Sequence, residues 1–181
     1  MADFEKAVEV VLEHEGGIGN LRGDPGGRTC FGWSATECER LGIAQPQTTE
    51  EARALYGQYF WHLLYNQITS QNVATKIMDS CVNQGEPAAI NHLQQALRSA
   101  GSIVTIDGAF GPASLTAINL TPENLLLPQM RMIQYASYDR WIAKDPDREA
   151  MRKDLARRAA WPDPDGSIAQ ALLAGTYEAK G

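Results

Sequence analysis

With 181 residues, 44% of them apolar and 21% charged, the chain has the proportions of a globular protein able to bury its apolar surface without disulfide staples. Its net charge of −6 comes without a dense basic run, which excludes nucleic acid as an expected partner; Arg152, Lys153, Arg157 and Arg158 mix with Asp154 on one expected helix. No window approaches the roughly 18 consecutive apolar residues of a membrane span, so no membrane insertion is expected.

The first fifteen residues, MADFEKAVEVVLEHE, place acids where a secretory leader would carry basic residues. They read as no signal peptide: the protein is made in the cytoplasm and reaches any target outside it by another route. Cys30, Cys38 and Cys81 are odd in number and lack a CxxC pair, so reduced thiols are expected. His14, His62 and His92 form no ligand pair, and neither a metal nor a cofactor is expected.

The periodicity is helical nearly throughout. Phe4, Val8, Val11 and Leu12 recur at helical spacing, Asp3 is a natural N-cap, and Gly16-Gly17 would stop the helix in a left-handed conformation. Residues 17 to about 35 lack a period and read as loop or short hairpin strands. A second helix opens at Thr48 or Thr49, where Thr48 and Glu51 match a capping box, and runs through EARALYGQYFWHLLY with Leu55, Tyr59 and Leu63 on one stripe. A third covers 71 to 84 with Val73, Ile77 and Cys81 inward and Gly85 as its stop, and a fourth runs on from Pro87. The turn region GSIVTIDGAFGP leads to a helix opening at Pro112. Thr121-Pro122 begins a long helix with an expected kink at Pro128. Asp145 caps a helix over DPDREAMRKDLARRAA, and SIAQALLAG forms a short last one. The fold class is therefore mainly α, with seven to eight helices and a small β-hairpin after the first.

The stretch HEGGIGNLRGDPGGRTCFGW carries the chemistry. Extending the stripe of Phe4, Val8 and Val11 by one turn reaches Glu15, an acid on the inward face at a helix C-terminus. Desolvation and the negative helix end both favour its protonated form, as a general acid working near neutral pH requires. A lone helix-terminal Glu usually keeps its tip in water, but Gly16 and Gly17 remove side chains beside this one and leave room for a bulky substrate. Asp24 follows nine residues later inside a Gly-Asp-Pro-Gly-Gly turn able to bring the chain back. Taken alone it reads as a turn-forming Asp. Thr29 adds a hydroxyl able to hold a water. One protonated acid, one ionised acid and a water-positioning group are the equipment for splitting a glycosidic bond.

The run H-E-G-G … D-P-G-G-R-T-x-x-G resembles the glycoside hydrolase family 108 lysozymes, N-acetylmuramidases that include phage endolysins. I-M-D-S-C-V-N-Q-G at 77–85 resembles the family's D-x-x-V-N-x-G helix end. L-Q-Q-A-L at 93–97 with I-D-G-A-F-G-P at 106–112 resembles its predicted peptidoglycan-binding segment. The resemblance implies a lysozyme-like fold cutting the MurNAc-β-1,4-GlcNAc bond, with residues 1–85 as the catalytic part and 86–181 as a helical lobe packed with it. It assigns Glu15 as general acid. By analogy with T4-type phage lysozymes, whose Glu–Asp–Thr order is similar but one residue longer before Thr, Asp24 assists the water or the oxocarbenium ion and Thr29 holds the water.

Four further residues are candidates for substrate binding. Asn83 ends its helix and either binds an acetamido group or serves its own backbone; Phe31 stands where the family commonly has Tyr; Gly16 and Gly17 open the space. Trp33 replaces the usual Ile, a packing change. Tyr56, Tyr59, Phe60, Trp61 and Tyr65 read mainly as core, with a groove that stacks sugars as the alternative for some of them, and Trp141 and Trp161 read as core or lobe-packing residues. The DGAFGP turn reads equally as a structural joint, with Phe110 as its plug.

The expected partner is the peptidoglycan glycan strand, reached as a monomer in the periplasm or cell wall. Release through a holin or export by a secretion system, the latter with an immunity protein, would both serve. Two other functions fit the residues: a lytic transglycosylase, or an inactive peptidoglycan-binding or secretion-related protein.

Overall fold

The computed structural model describes residues 1–16, 18–19 (main chain only) and 29–179. The first helix, α1 (Phe4–Glu15), starts where the Asp3 side chain accepts a hydrogen bond from Glu5 N, and ends where Gly16 N–H returns to Leu12 O. Gly16 has the expected positive φ of 69°, but its ψ of −171° is that of the mirror-extended region rather than the left-handed helix. After α1, β1 (Ile18–Gly19), β2 (Thr29–Cys30) and β3 (Trp33–Ser34) form an antiparallel sheet in chain order. Its β2–β3 turn is Phe31-Gly32, both at positive φ (51° and 83°), as a two-residue hairpin loop with native twist demands. Phe31 has to adopt a conformation unusual for a side-chain-bearing residue.

Ser34 then caps α2 (Ala35–Leu41), accepting from Glu37 N. The S-A-T-E spacing is a helix-start signal, and this helix was not among those expected. α3 (Thr49–Phe60) opens as the capping box requires: Thr48 Oγ1 accepts from Glu51 N, while Glu51 reaches back to Gln47 N at 2.7 Å. α4 (Gln71–Gln84) and α5 (Glu86–Ser99) meet at Gly85 (φ 79°), and α6 (Pro112–Leu120) and α7 (Glu123–Ile142) follow. α7 stays helical through Pro128. The stretch after Asp145 differs from expectation, beginning as a 3-10 helix at Pro146–Met151 and becoming α8 only over Arg152–Ala160. α9 (Ser167–Ala174) closes the chain. The architecture is mainly α, with nine α-helices among the described residues against seven to eight expected.

α4 is the axis of the molecule. It packs on α1, α3, α5 and α7, and every residue from Val73 to Cys81 is buried, so it is enclosed all round. Its apolar residues divide between two cores. Val73, Ala74 and Ile77 join Ile90, Leu97 and Leu126; Met78 joins Val8, Val11, Trp33 and Tyr56. A third core unites Tyr138 and Ile142 of α7 with α8 and α9. Such a helix has no water-facing side, so its two charged residues, Lys76 and Asp79, are also buried (0% and 1% exposed). Among the described residues no helix is long and apolar enough to cross a membrane.

The DGAFGP segment is a buttressed joint. The buried Gln94 amide donates to Asp107 Oδ1 at 2.7 Å, and its oxygen accepts from the Asp107 and Gly108 N–H groups, both at 2.9 Å. Phe110 packs edge-on against Tyr65 with ring centroids 4.8 Å apart. Replacing Gln94 by Ala strips these main-chain groups of their partners. A loss of about 3 kcal/mol is expected in urea denaturation, from a cavity plus unsatisfied donors.

Candidate active site

Glu15 ends α1 with its side chain 17% exposed, on the stripe that carries the fully buried Val8 and Val11. Its Oε1 accepts from Arg158 Nη2 at 2.7 Å. The same Nη2 lies 2.8 Å from Asp79 Oδ1, and Arg158 Nε donates to Asp79 Oδ2 at 3.1 Å. His14, the neighbour of Glu15, donates from Nδ1 to Asp79 Oδ1 at 2.9 Å. Two consecutive residues at the end of α1 are thus gripped, one through Asp79 and one through Arg158. A guanidinium is suited to this because its planar fork serves two acceptors at fixed angles.

The charges are set by these contacts. Burial alone would raise the Asp79 carboxyl, but Arg158 and His14 outweigh it and hold the group down at about 2. Burial alone would lower the Arg158 guanidinium; Asp79 and Glu15 reverse that and hold it above the ordinary arginine value. Lys76 sits one turn before Asp79 on α4, and its Nζ donates to the carbonyls of Arg158 and Ala159, both at 2.7 Å. It caps the open end of α8, where orphan carbonyls and the helix dipole both favour a donor of positive charge. Burial nevertheless pushes Lys76 down to about 7, partly opposed by Asp79 and assisted by Arg131 and Arg158. A neutral amine keeps two N–H donors, enough for the two carbonyls.

The other side of Glu15 is formed by the β2–β3 turn. A Cβ on Gly32 would overlap the Tyr56 hydroxyl and stand 2.7 Å from both Cγ and Oε2 of Glu15. Tyr56, buried in α3, donates to Phe31 O at 2.7 Å and so fastens the turn against the acid. Burial, with Glu15 nearby, pushes the Tyr56 phenol up, which keeps it a donor. Gly32 also lines a cleft of 510 Å³ together with Trp33, Tyr59, Phe60, Val82 and Gly85. Glu15 therefore stands between a buried guanidinium on its Oε1 side and the glycine of a cleft wall on its Oε2 side.

The remaining expected site residues divide. Thr29 pairs with Ser34 in the hairpin whose turn backs Glu15. Gly16 and Phe31 come together along a separate 500 Å³ groove with Leu12 and Thr49. Asn83 lines a third cavity, of 440 Å³, with His92, Tyr138 and Trp141, and its Oδ1 accepts from Tyr138 Oη at 2.7 Å. Asp24 and Gly17 lie outside the described residues. Tyr56 and Tyr65 are core residues as expected, and Trp33 is buried among Tyr56, Tyr59 and Phe60. Trp141 is not core: it is 40% exposed, with the Arg148 guanidinium 4.1 Å from its ring centroid, a cation–π pair at the surface. Trp161 is partly buried. Cys30, Cys38 and Cys81 are buried free thiols, and burial pushes Cys81 up to about 12.

The residues that sequence reasoning missed are Gly32, Lys76, Asp79 and Arg158. Each left a trace. Gly32 closes the T-x-x-G run, Lys76 and Asp79 fall within the inward helix 71–84, and Arg158 stands in Leu-Ala-Arg-Arg-Ala-Ala, where its neighbours on the helix are small and apolar.

With this geometry in view, residues 8–85 match the family model of glycosyl hydrolase 108, and residues 88–159 match that of the predicted peptidoglycan domain. Residues 8–85 are thus a glycosyl hydrolase 108 segment and residues 88–159 a predicted peptidoglycan domain, and the protein is a glycoside hydrolase. It is a peptidoglycan-degrading hydrolase that acts on the cell wall. Among solved structures it is similar to SagA of Brucella abortus, with a TM-score of 0.67 over 97% of this chain and 96% of that chain. At 21% identity this is a likeness of fold. No curated protein sequence matches.

Two outcomes follow from the site. Gly32→Ala forces a strained φ and a collision with Glu15 and Tyr56. It should cost about 2–3 kcal/mol in a thermal melt and at least about tenfold in peptidoglycan hydrolysis. For Lys76, the folded-state value of about 7 lies below the unfolded 10.5, so between these values the unfolded chain binds more protons. Stability therefore gains a rising contribution from about pH 7 to 10.5. Denaturation midpoints across that window should show the rise in the wild type and lose it in Lys76→Met.

Proposed function

We propose that this hydrolase is an N-acetylmuramidase that cuts the β-1,4 bond between N-acetylmuramic acid and N-acetylglucosamine, with Glu15 as the general acid. The observation that carries the reading is the placement of one carboxyl group: Oε1 held by Arg158, Oε2 beside the glycine that lines the 510 Å³ cleft. In this reading Oε2 delivers its proton to the glycosidic oxygen as the C–O bond breaks, and positive charge develops on the sugar ring. Water then adds to the anomeric carbon and gives up one proton to a carboxylate of the site, that of Asp24 or the one left on Glu15. At 17% exposure Glu15 is set deeper than an ordinary surface acid, and no Cβ at Gly32 crowds its second oxygen.

Thr29 would position the water from β2, and Asp24 would assist it or stabilise the oxocarbenium ion. Asn83 would bind an acetamido group through its amide nitrogen, with Tyr138 fixing the amide from the other side. Phe31, Gly16 and Gly17 would border the substrate. Residues 1–85 form the catalytic part and 86–181 a helical lobe; the ion pair between Glu15 and Arg158 supports their working as one unit. The enzyme would reach its polymer by release through a holin or by a secretion machine.

The test is Glu15→Gln, which keeps the shape and removes the proton. Reducing-end release from purified peptidoglycan should fall by about 10²–10⁴-fold, the usual contribution of a positioned acid. Release at the wild-type rate would mean that another group protonates the leaving oxygen.

A further inference from the structure

We propose that Arg158 is the positioning residue for Glu15, so that the second half of the chain completes the catalytic centre and does not serve only to hold peptidoglycan. This inference rests on the reading of Glu15 as the acid.

Arg158 lies two residues from the end of α8, far in sequence from α1, yet its Nη2 serves Glu15 Oε1 (2.7 Å) and Asp79 Oδ1 (2.8 Å) together. A buried guanidinium held by two acceptors has one available orientation, and it transmits that orientation to the acid. Without it, Glu15 has three side-chain torsions and a glycine neighbour on each exposed side, Gly16 along the chain and Gly32 across the turn, neither of which restricts a rotamer. With Oε1 engaged by a donor, the oxygen left for a substrate is Oε2, the one beside Gly32, which lines the cleft.

Arg158 is itself fixed twice by α4, one helical turn apart. Asp79 holds its side chain through Nε and Nη2, and Lys76 holds its main-chain carbonyl and that of Ala159. The groups facing Arg158 are therefore Glu15 and His14 of α1 (the latter through Asp79), and Lys76 and Asp79 of α4. Tyr138 of α7 also bears on it. A salt bridge kept only for stability would need one carboxylate. Here the guanidinium spans two, and the second lies against Gly32, a residue of the cleft wall.

The test uses the full chain and four forms: wild type, Glu15→Gln, Arg158→Lys, and the double variant Arg158→Gln/Asp79→Asn. The double variant removes Arg158 and its buried partner Asp79 together, so neither of that pair is left as a lone buried charge, while Glu15 loses its guanidinium. Each is checked for native far-UV circular dichroism, then assayed for reducing-end release against peptidoglycan concentration and for co-sedimentation with insoluble peptidoglycan. The double variant should lose about 10²-fold in kcat with KM and co-sedimentation within about twofold, because a misplaced catalytic group costs rate and not binding. Arg158→Lys, a point charge unable to serve both acceptors, should lie between that value and the wild type.

A folded double variant with wild-type kcat overturns the proposal, as does a variant whose loss lies wholly in KM and co-sedimentation. If the double variant fails to fold, Arg158→Lys decides, and wild-type kcat there overturns the proposal equally. Glu15→Gln separates the two readings. If it is inactive while the Arg158 variants are fully active, only the positioning role falls; if it is fully active, the acid assignment itself falls.

Discussion

The guanidinium of Arg158, 8% exposed and shared by two carboxylates, is the contact on which the arrangement of helices around the site depends. It joins α8 to α4 through Asp79 and to α1 through Glu15, and these helices come from opposite ends of the chain. Remove it, and Asp79 remains as a buried charge with a histidine for company. Such a residue is strongly unfavourable: breaking a buried pair from one side typically costs about 3–5 kcal/mol. The network is closed at each corner. His14 takes the remaining reach of Asp79 Oδ1, and Lys76 ties down the carbonyls that α8 exposes at its end.

Apolar residues of similar volume would often hold three helices together as well as buried charges do, since desolvation consumes most of the Coulomb attraction. A buried ion network is therefore poorly explained by stability alone. What charges supply and leucines do not is direction. Apolar packing tolerates small rotations, whereas a guanidinium fork fixes angles to a few acceptors. That matters where an acid must present one oxygen to a cleft. The β2–β3 turn contributes the complementary constraint, an absence of atoms: Gly32 lets the acid reach the wall of the cleft, while Tyr56 holds the Phe31 carbonyl so the turn cannot drift.

Much of this was legible in the sequence where local chemistry decides. Asp3, Thr48 and Gly85 mark helix ends by their own hydrogen bonds or backbone freedom, and those ends were found within a residue or two; the helix that Thr48 opens stops at Phe60, short of the Tyr65 expected, and a 3-10 turn over Leu63–Gln67 follows. Glu15 was legible because a helical stripe extends to it without tertiary information. α2 was missed although Ser34 and Glu37 carry its start signal, since a seven-residue helix shows too little periodicity to stand out. The stretch after Asp145 carries a cap and a proline that suit either helix type, and its first six residues take the 3-10 form. Arg158 was read only as one of several basic residues mixed with Asp154 on a helix, because its partners lie 79 and 143 positions away in the chain. Trp141 was assigned to the core on hydrophobicity, which is blind to an arginine seven residues later that can cover the ring from outside.

If Glu15 delivers the proton and water takes up the sugar cation, the products record both. Purified peptidoglycan digested in water enriched in heavy oxygen, with the fragments read by mass spectrometry, is the most direct measurement. A muramidase of this kind should release reducing-end N-acetylmuramic acid carrying one heavy oxygen. Fragments ending in 1,6-anhydro-muramic acid, or in reducing N-acetylglucosamine, would contradict it.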